Sequence, residues 1–240
     1  MRKFTLLLFI YGMFLTLSSY HITHAFFFDM SKSTTNVFAA ASTFSGSGLA
    51  NHIVISEVQI TATPSANNDF IELYNPTEVA ISLANHRLVK RTSSGVTDTD
   101  IVVFTANDSI PAHKYLLWAN SANSFATSLG ADKSSGDNLS VDNSVALRNG
   151  AKDTGTIIDA LRWGNPTGTP LSEAAAFTPN PGNGQSIERK AQASSTTSTM
   201  NGGVDATKGN GYDTDNNAND FVLRTTSQPQ NSTSATESFQ

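Results

Sequence analysis

The sequence predicts an all-β sandwich, and three observations predict it: short runs of β-branched and aromatic residues, turn residues between them, and very little helical periodicity from Ile53 onward. The chain has 240 residues. That suffices for one all-β domain once its low-complexity ends are set aside.

The first strand is expected at Ile53 to Ile60. It is followed by Phe70 to Tyr74, Ala80 to Val89, Asp100 to Phe104, Tyr115 to Ala119, Ser144 to Leu147, Thr156 to Trp163 and Ser186 to Arg189. In the second run Ile71 and Leu73 alternate with Phe70, Glu72 and Tyr74. Both faces of the pleat therefore carry apolar residues, and the strand should be central. In the third run Leu83 and Leu88 stand an odd number of positions apart. Both reach one core only if a bulge or bend intervenes near Asn85-His86.

The punctuation has its own mechanism. Asn75-Pro76-Thr77 is a turn with φ fixed at proline, Ser94-Gly95 supplies a position tolerant of positive φ, and Asn149-Gly150 signals a hairpin. One short helix or turn fits Leu171 to Phe177, where Ser172 could cap and Glu173 would lie near the N-terminus. Past Lys190 the expectation is a Ser/Thr/Gly-rich linker over 191–211. A C-terminal extension over 212–226 follows, docking through Phe221, Val222 and Leu223, and then a disordered polar tail over 227–240.

At the other end Arg2 and Lys3 precede an apolar run from Phe4 to Leu17, and small-residue cleavage chemistry follows at Thr23-His24-Ala25. Residues 1–25 read as a signal peptide, residues 26–50 as a disordered tether containing Ser45-Gly46-Ser47-Gly48, and residues 51–190 as the folded domain. Left uncleaved, the same leader would be a membrane anchor, the chain's sole membrane contact. The expected location is secreted or cell envelope.

Composition narrows the chemistry. There is no cysteine, which excludes a disulfide framework, a thiolate metal site and a cysteine nucleophile. The formal charge is −5, and loss of Arg2 and Lys3 with the leader makes it −7. A mildly acidic chain is a poor wrapper of phosphate backbone, so nucleic acid is the less favoured partner.

Four segments in order, Val54-Ile55-Ser56-Glu57-Val58, Asp69-Phe70-Ile71-Glu72-Leu73-Tyr74-Asn75-Pro76-Thr77, Ile81-Ser82-Leu83 with Leu88, and Ile158-Asp159, resemble the lamin tail domain family. Ile110-Pro111-Ala112-His113-Lys114-Tyr115-Leu116-Leu117 and Gln185-Ser186-Ile187-Glu188-Arg189 extend the resemblance, and Tyr212 to Phe221 is similar to an extension seen in exported bacterial versions. The resemblance implies an immunoglobulin-like β-sandwich used as an accessory module, with no catalytic residues. No heptads are present, so the exported bacterial members are the better comparison than the nuclear filament proteins.

Candidate chemistry is sparse. Glu57 and Glu72 suggest a carboxylate pair, for which the commoner outcome in a small sandwich is hydrogen bonding to loop N–H groups or pairing with Arg. His52, His86 and His113 accompany no nucleophile-elbow or triad motif. Asp213, Asp215, Asn217 and Asp220 have a spacing that could converge on calcium, although the glycine and distal glutamate of a helix-loop-helix site are missing; asx turns explain the same composition. Arg87, Lys90 and Arg91 form the one dense basic cluster, a possible contact for phosphate or an acidic polymer or else a guarded edge strand. Trp163, beside Gly164-Asn165-Pro166, is the more exposed candidate for a ligand platform.

The resulting expectation is an exported, non-catalytic interaction or structural module that binds a protein, an extracellular polymer or the cell envelope. It needs no cofactor, with calcium as the one candidate ion. The alternative is an accessory subunit of an exported hydrolase or nuclease.

Overall fold

The computed structural model describes residues 48–238. The leader and all but the last three residues of the tether lie outside that range. The strands are β1 (Val54–Gln59), β2 (Phe70–Tyr74), β3 (Ile81–Ser82), β4 (His86–Arg91), β5 (Thr99–Val103), β6 (Ser109–Ile110), β7 (Tyr115–Asn120), β8 (Lys133–Ser135), β9 (Ser144–Asn149), β10 (Thr156–Arg162), β11 (Ser186–Arg189) and β12 (Phe221–Arg224). They form an immunoglobulin-like β-sandwich. One sheet runs β12, β11, β1, β2, β7, β8, the other β10, β9, β4, β5, and β3 pairs with β6 alone. Pairing is antiparallel except for β7 with β8. No helix among the described residues is long and apolar enough to cross a membrane.

The core lies between the sheets. Ile55, Val58, Ile71, Leu73, Trp118 and Ile187 from one side meet Leu88, Ile101, Val145, Leu147 and Leu161 from the other. Strand β2 is central, as its two-faced apolarity predicts. Ile71 and Leu73 point into the core, whereas Phe70 is covered by Leu117, Ala119 and Ala126 on the outer side. A register shift between Ile55 and Glu57 lets both Ile55 and Val58 face inward, and this turns Ser56 and Glu57 outward together.

The expected bend in the Ala80 to Val89 run is a complete break. Asn85 adopts φ 64°, the His86 N–H donates to the Leu83 carbonyl, and β3 and β4 join different sheets, which is how Leu83 and Leu88 both reach the core. Of the short helix or turn expected at Leu171 to Phe177, the helix does not form. That segment is irregular instead, bending at residues 173–175 with Ala174 at φ 38° and Phe177 bridging Trp163, where it closes the side of β10.

The largest departures lie past Lys190. The expected linker is folded: Ala191, Ser195, Met200, Asp205 and Asn210 are buried, and Thr196 and Thr199 cap the helical turn Thr197–Met200 reciprocally. Polar side chains replace an apolar period here, since Asp205 accepts from Gln192 Nε2 at 3.0 Å and from Ser195 Oγ at 3.0 Å. Strand β12 pairs with β11, with Ile187 opposite Leu223. Beyond it, residues 227–238 do not run off as a tail but return across the outer face of the six-stranded sheet.

Candidate functional site

The sequence-predicted basic residues are consumed internally. Arg87 forks onto Asp100 at 2.9 and 3.0 Å, Lys90 reaches the Asn138 carbonyl at 2.6 Å and Asp137 at 3.2 Å, and Arg91 pairs with Asp98 at 2.7 Å. Lys90 and Arg91 are buried. Their alternation along β4 sends them to opposite faces, where acidic loops meet them, so no open basic patch results. Trp163 is likewise not a platform: it is fully buried, and its Nε1 donates to the Ser140 carbonyl at 2.9 Å.

The four proposed calcium ligands do not converge. Asp220 spends both oxygens on its own loop, accepting from Thr214 N at 3.0 Å, Thr214 Oγ1 at 2.6 Å and Asn216 N at 3.1 Å. Asn217 is fully buried and faces β10, accepting from Arg162 N at 3.1 Å and donating to the Ala160 carbonyl at 2.7 Å. Asp215 is a turn residue with φ 54° whose N–H donates to Asp213 Oδ1. The asx-turn reading accounts for these bonds.

What the fold assembles instead is a hub around Arg189, fully buried at the end of β11. Its Nη2 donates to both oxygens of Asp159 at 2.7 and 2.9 Å and its Nε to the Ile55 carbonyl at 2.9 Å. Nη1 lies 3.1 Å from both Asp213 Oδ1 and the Tyr212 carbonyl, and the Phe221 ring lies beneath the guanidinium at 4.5 Å. Glu173, Asp213 and Asp220 offer oxygens within 4.8 Å of one another, and so do His52, Asp159 and Asp213. Burial, then the neighbouring Asp159, push the Glu173 carboxyl up to about 10. Arg189 thus supplies beside Asp213 the positive charge that the sequence spacing suggested a metal would bring.

A second carboxylate group spans three neighbouring strands. Glu188 on β11, Glu57 on β1 and Glu72 on β2 lie directly opposite one another in register. Ser56 Oγ donates to Glu72 at 2.5 Å, Ser186 Oγ donates to Glu57, and Arg224 pairs with Glu188. Residues 227–238 cover the row, with the Gln228 N–H on Glu57 at 3.1 Å and the Gln230 N–H on Glu72 at 2.5 Å. Glu57 and Glu72 therefore accept loop N–H groups, as a structural role for the pair predicts. Burial, then Glu188, push Glu57 up to about 8, and burial, then Glu57, raise Glu72 as well.

Exposed apolar residues are few and scattered, among them Val79, Val96, Val103 and Val204. Val103 ends β5, which pairs with β4 on one side only. Beside it Asn85, Arg87, Val103, Phe104 and Asn149 line a shallow depression of about 520 Å³. The other outer strand of that sheet is closed: Asn217 bonds the N–H of Arg162 and the carbonyl of Ala160, Glu173 accepts from Ala160 N at 3.2 Å, and Phe177 N donates to the Arg162 carbonyl at 3.0 Å.

Sequence reasoning missed Arg189, Asp159 and Glu173 as a charge group, and Glu188 as the third member of its row. For Arg189, Asp159 and Glu188 the available signal was charge placed inside strands that otherwise alternate apolar residues, whereas Glu173, in an irregular segment, carried none.

Residues 48–165 match the family model described as Lamin Tail Domain. Among solved structures, a DUF4876 family protein from Bacteroides thetaiotaomicron is similar at 10% identity, over 74% of this chain and 72% of that one, with a TM-score of 0.44. No curated protein matches the chain.

Proposed function

Residues 48–165 are of lamin-tail-domain type, and from that premise we propose that the chain is an exported, non-catalytic interaction module that takes a partner's backbone along the outer edge of β5. The observation that carries this reading is the asymmetry of the four-stranded sheet. Its β10 edge is closed from Ala160 onward by Asn217, Glu173 and Phe177, whereas among the described residues β5 has no strand bonded on its outer side. Strand addition to such an edge draws affinity from main-chain hydrogen bonds and specificity from neighbouring pockets. The depression at the end of β4, with Val103 on one side and Asn149 on the other, adjoins that edge. Export rests on the order of basic, apolar and small residues in the leader.

A photoreactive residue placed at Val103 in the full chain, expressed in its native host, is expected to yield a discrete adduct. The same residue at exposed Val204, on a different loop, should yield none. Equal adducts at both positions, or none at Val103, would remove the β5 reading. Intact mass of the recovered protein tests export independently, with cleavage expected after Ala25.

A further inference from the structure

The segment from Thr225 to Ser238 is held in an unusual way. None of its residues is buried, and the only side chains it has that could serve as apolar anchors are Pro229 and Ala235. Its attachments are polar, among them Ser227 Oγ to Gln59, Gln228 N to Glu57, Gln230 N to Glu72, Ser232 N to Asp132, Asn231 Nδ2 to the Leu129 carbonyl, Lys114 Nζ to the Ser234 carbonyl, Tyr74 Oη and Tyr115 Oη to Glu237, and Glu237 N to the His113 carbonyl. Nor does it lie flush on the domain. It borders a cavity of about 370 Å³ lined by Glu188, Lys208, Asn210, Gln228, Gln230 and Glu237. Beneath it lies the row Glu188, Glu57, Glu72, three carboxyl groups on adjacent strands at the spacing of direct cross-strand neighbours.

We propose that residues 225–238 are a detachable strap, docked over this carboxyl row in acid and released from it as pH rises. Two backbone N–H groups of the strap donate to carboxyl oxygens of the row, which by itself favours the ionised form, but closing the strap also covers those groups and sets Glu237 beside them, and burial outweighs the two hydrogen bonds. Charged groups face the row from every side. Arg224 on β12 offsets Glu188, Tyr115 on β7 borders Glu72, Glu237 on the strap adds a further negative charge, and Asp205 and Lys208 flank the cavity as an ion pair at 3.2 Å. Arg224 and Lys208 are thus opposed by five carboxyls.

Burial raises Glu57, Glu72 and Glu188 alike above the ordinary carboxylate range. A group that binds its proton more tightly when the strap is closed favours closure fully below its ordinary pKa, and that contribution is lost as pH climbs through the closed-state value, about 8 for Glu57. Each pKa unit of difference between closed and open states changes the closing equilibrium about ten-fold. The strap lacks the buried apolar contacts that would hold it against such a change, which places it at the low-stability end of the molecule.

The chain has no cysteine, so two can be introduced for paired spin labels: Thr236→Cys on the strap and Val96→Cys on the domain, both exposed positions. In the full mature chain the interlabel distance distribution should be narrow at pH 5 and broad at pH 9. The closed fraction relative to open should drop more than about ten-fold, while circular dichroism shows the sandwich still folded. Glu57→Gln with Glu72→Gln, uncharged at every pH, should stay narrow at pH 9. Exchange rates of the Gln228 and Gln230 amides in the wild-type chain, corrected for their intrinsic pH dependence, give a second reading that needs no variant. A narrow distribution and protected amides at pH 9 in the wild type, opening in acid instead, or opening in the double glutamine variant at the same pH as the wild type would each overturn the proposal.

Discussion

Arg189 collects five oxygen atoms from three segments of the chain: two from Asp159, one from Asp213, and the carbonyls of Ile55 and Tyr212. Replacing it with methionine keeps the volume and strands Asp159 as an uncompensated buried charge. The expected loss is about 3–5 kcal/mol, read by urea denaturation, and the added change Asp159→Leu should recover part of it. A loss below about 1 kcal/mol would mean the hub is not what holds β11 to β10. Asp98 makes a different residue-scale case. Burial acts to raise its carboxyl, but the Asp153 N–H, Arg91 and Arg148 outweigh that and hold it below the ordinary carboxylate range. Its contribution is therefore present above that range and lost as pH falls through it. Between pH 7 and pH 3 the wild type should lose stability, and Asp98→Asn should lose measurably less over the same interval. None of these partnerships was visible in the sequence, because Arg91 and Asp98 read as a basic cluster and a loop until the turn between β4 and β5 brings them together.

Strands were the most legible elements. The β2 and β11 boundaries follow from runs of alternating or β-branched residues bounded by Pro76 and Gly184, where local chemistry and packing agree. The odd spacing of Leu83 and Leu88 announced a bend, although not that the chain changes sheets there. The loop from Asp213 to Asp220 was legible only as composition. Oxygen side chains at alternate positions suit a cation and an asx turn equally, and the choice depended on Arg189, which is remote in sequence. With Arg189 on Asp213 and the Asp220 oxygens already accepting three hydrogen bonds, about 10 mM calcium should move the melting temperature of metal-stripped protein by less than about 1 °C. A larger rise, abolished by Glu173→Gln, would show that Glu173, Asp213 and Asp220 do take the ion.

For the whole molecule, the residues past the lamin-tail match at 48–165 are part of the fold. Strand β11 pairs with β1, Arg189 neutralises Asp159, and Met200 and Phe221 are buried. A fragment of residues 48–165 should therefore lack a cooperative thermal transition and dispersed amide resonances, whereas residues 48–240 should show both; a well-folded fragment would mean that the C-terminal third is an addition. The Ser/Thr tract hid this dependence, since its burial comes from hydrogen-bonded hydroxyl and carboxyl groups that leave no hydrophobic period. The closure of β10 by Asn217 has a consequence for assembly. A sheet with one open side is monovalent: it can receive a single strand and then stops, ending a chain of copies or capping a partner. Asn217 occupies, with one side-chain amide, the place of a neighbouring backbone. Its loss would uncover part of that second side while Glu173 and Phe177 still held the rest, so Asn217 is one of three residues that keep the sheet from becoming a link.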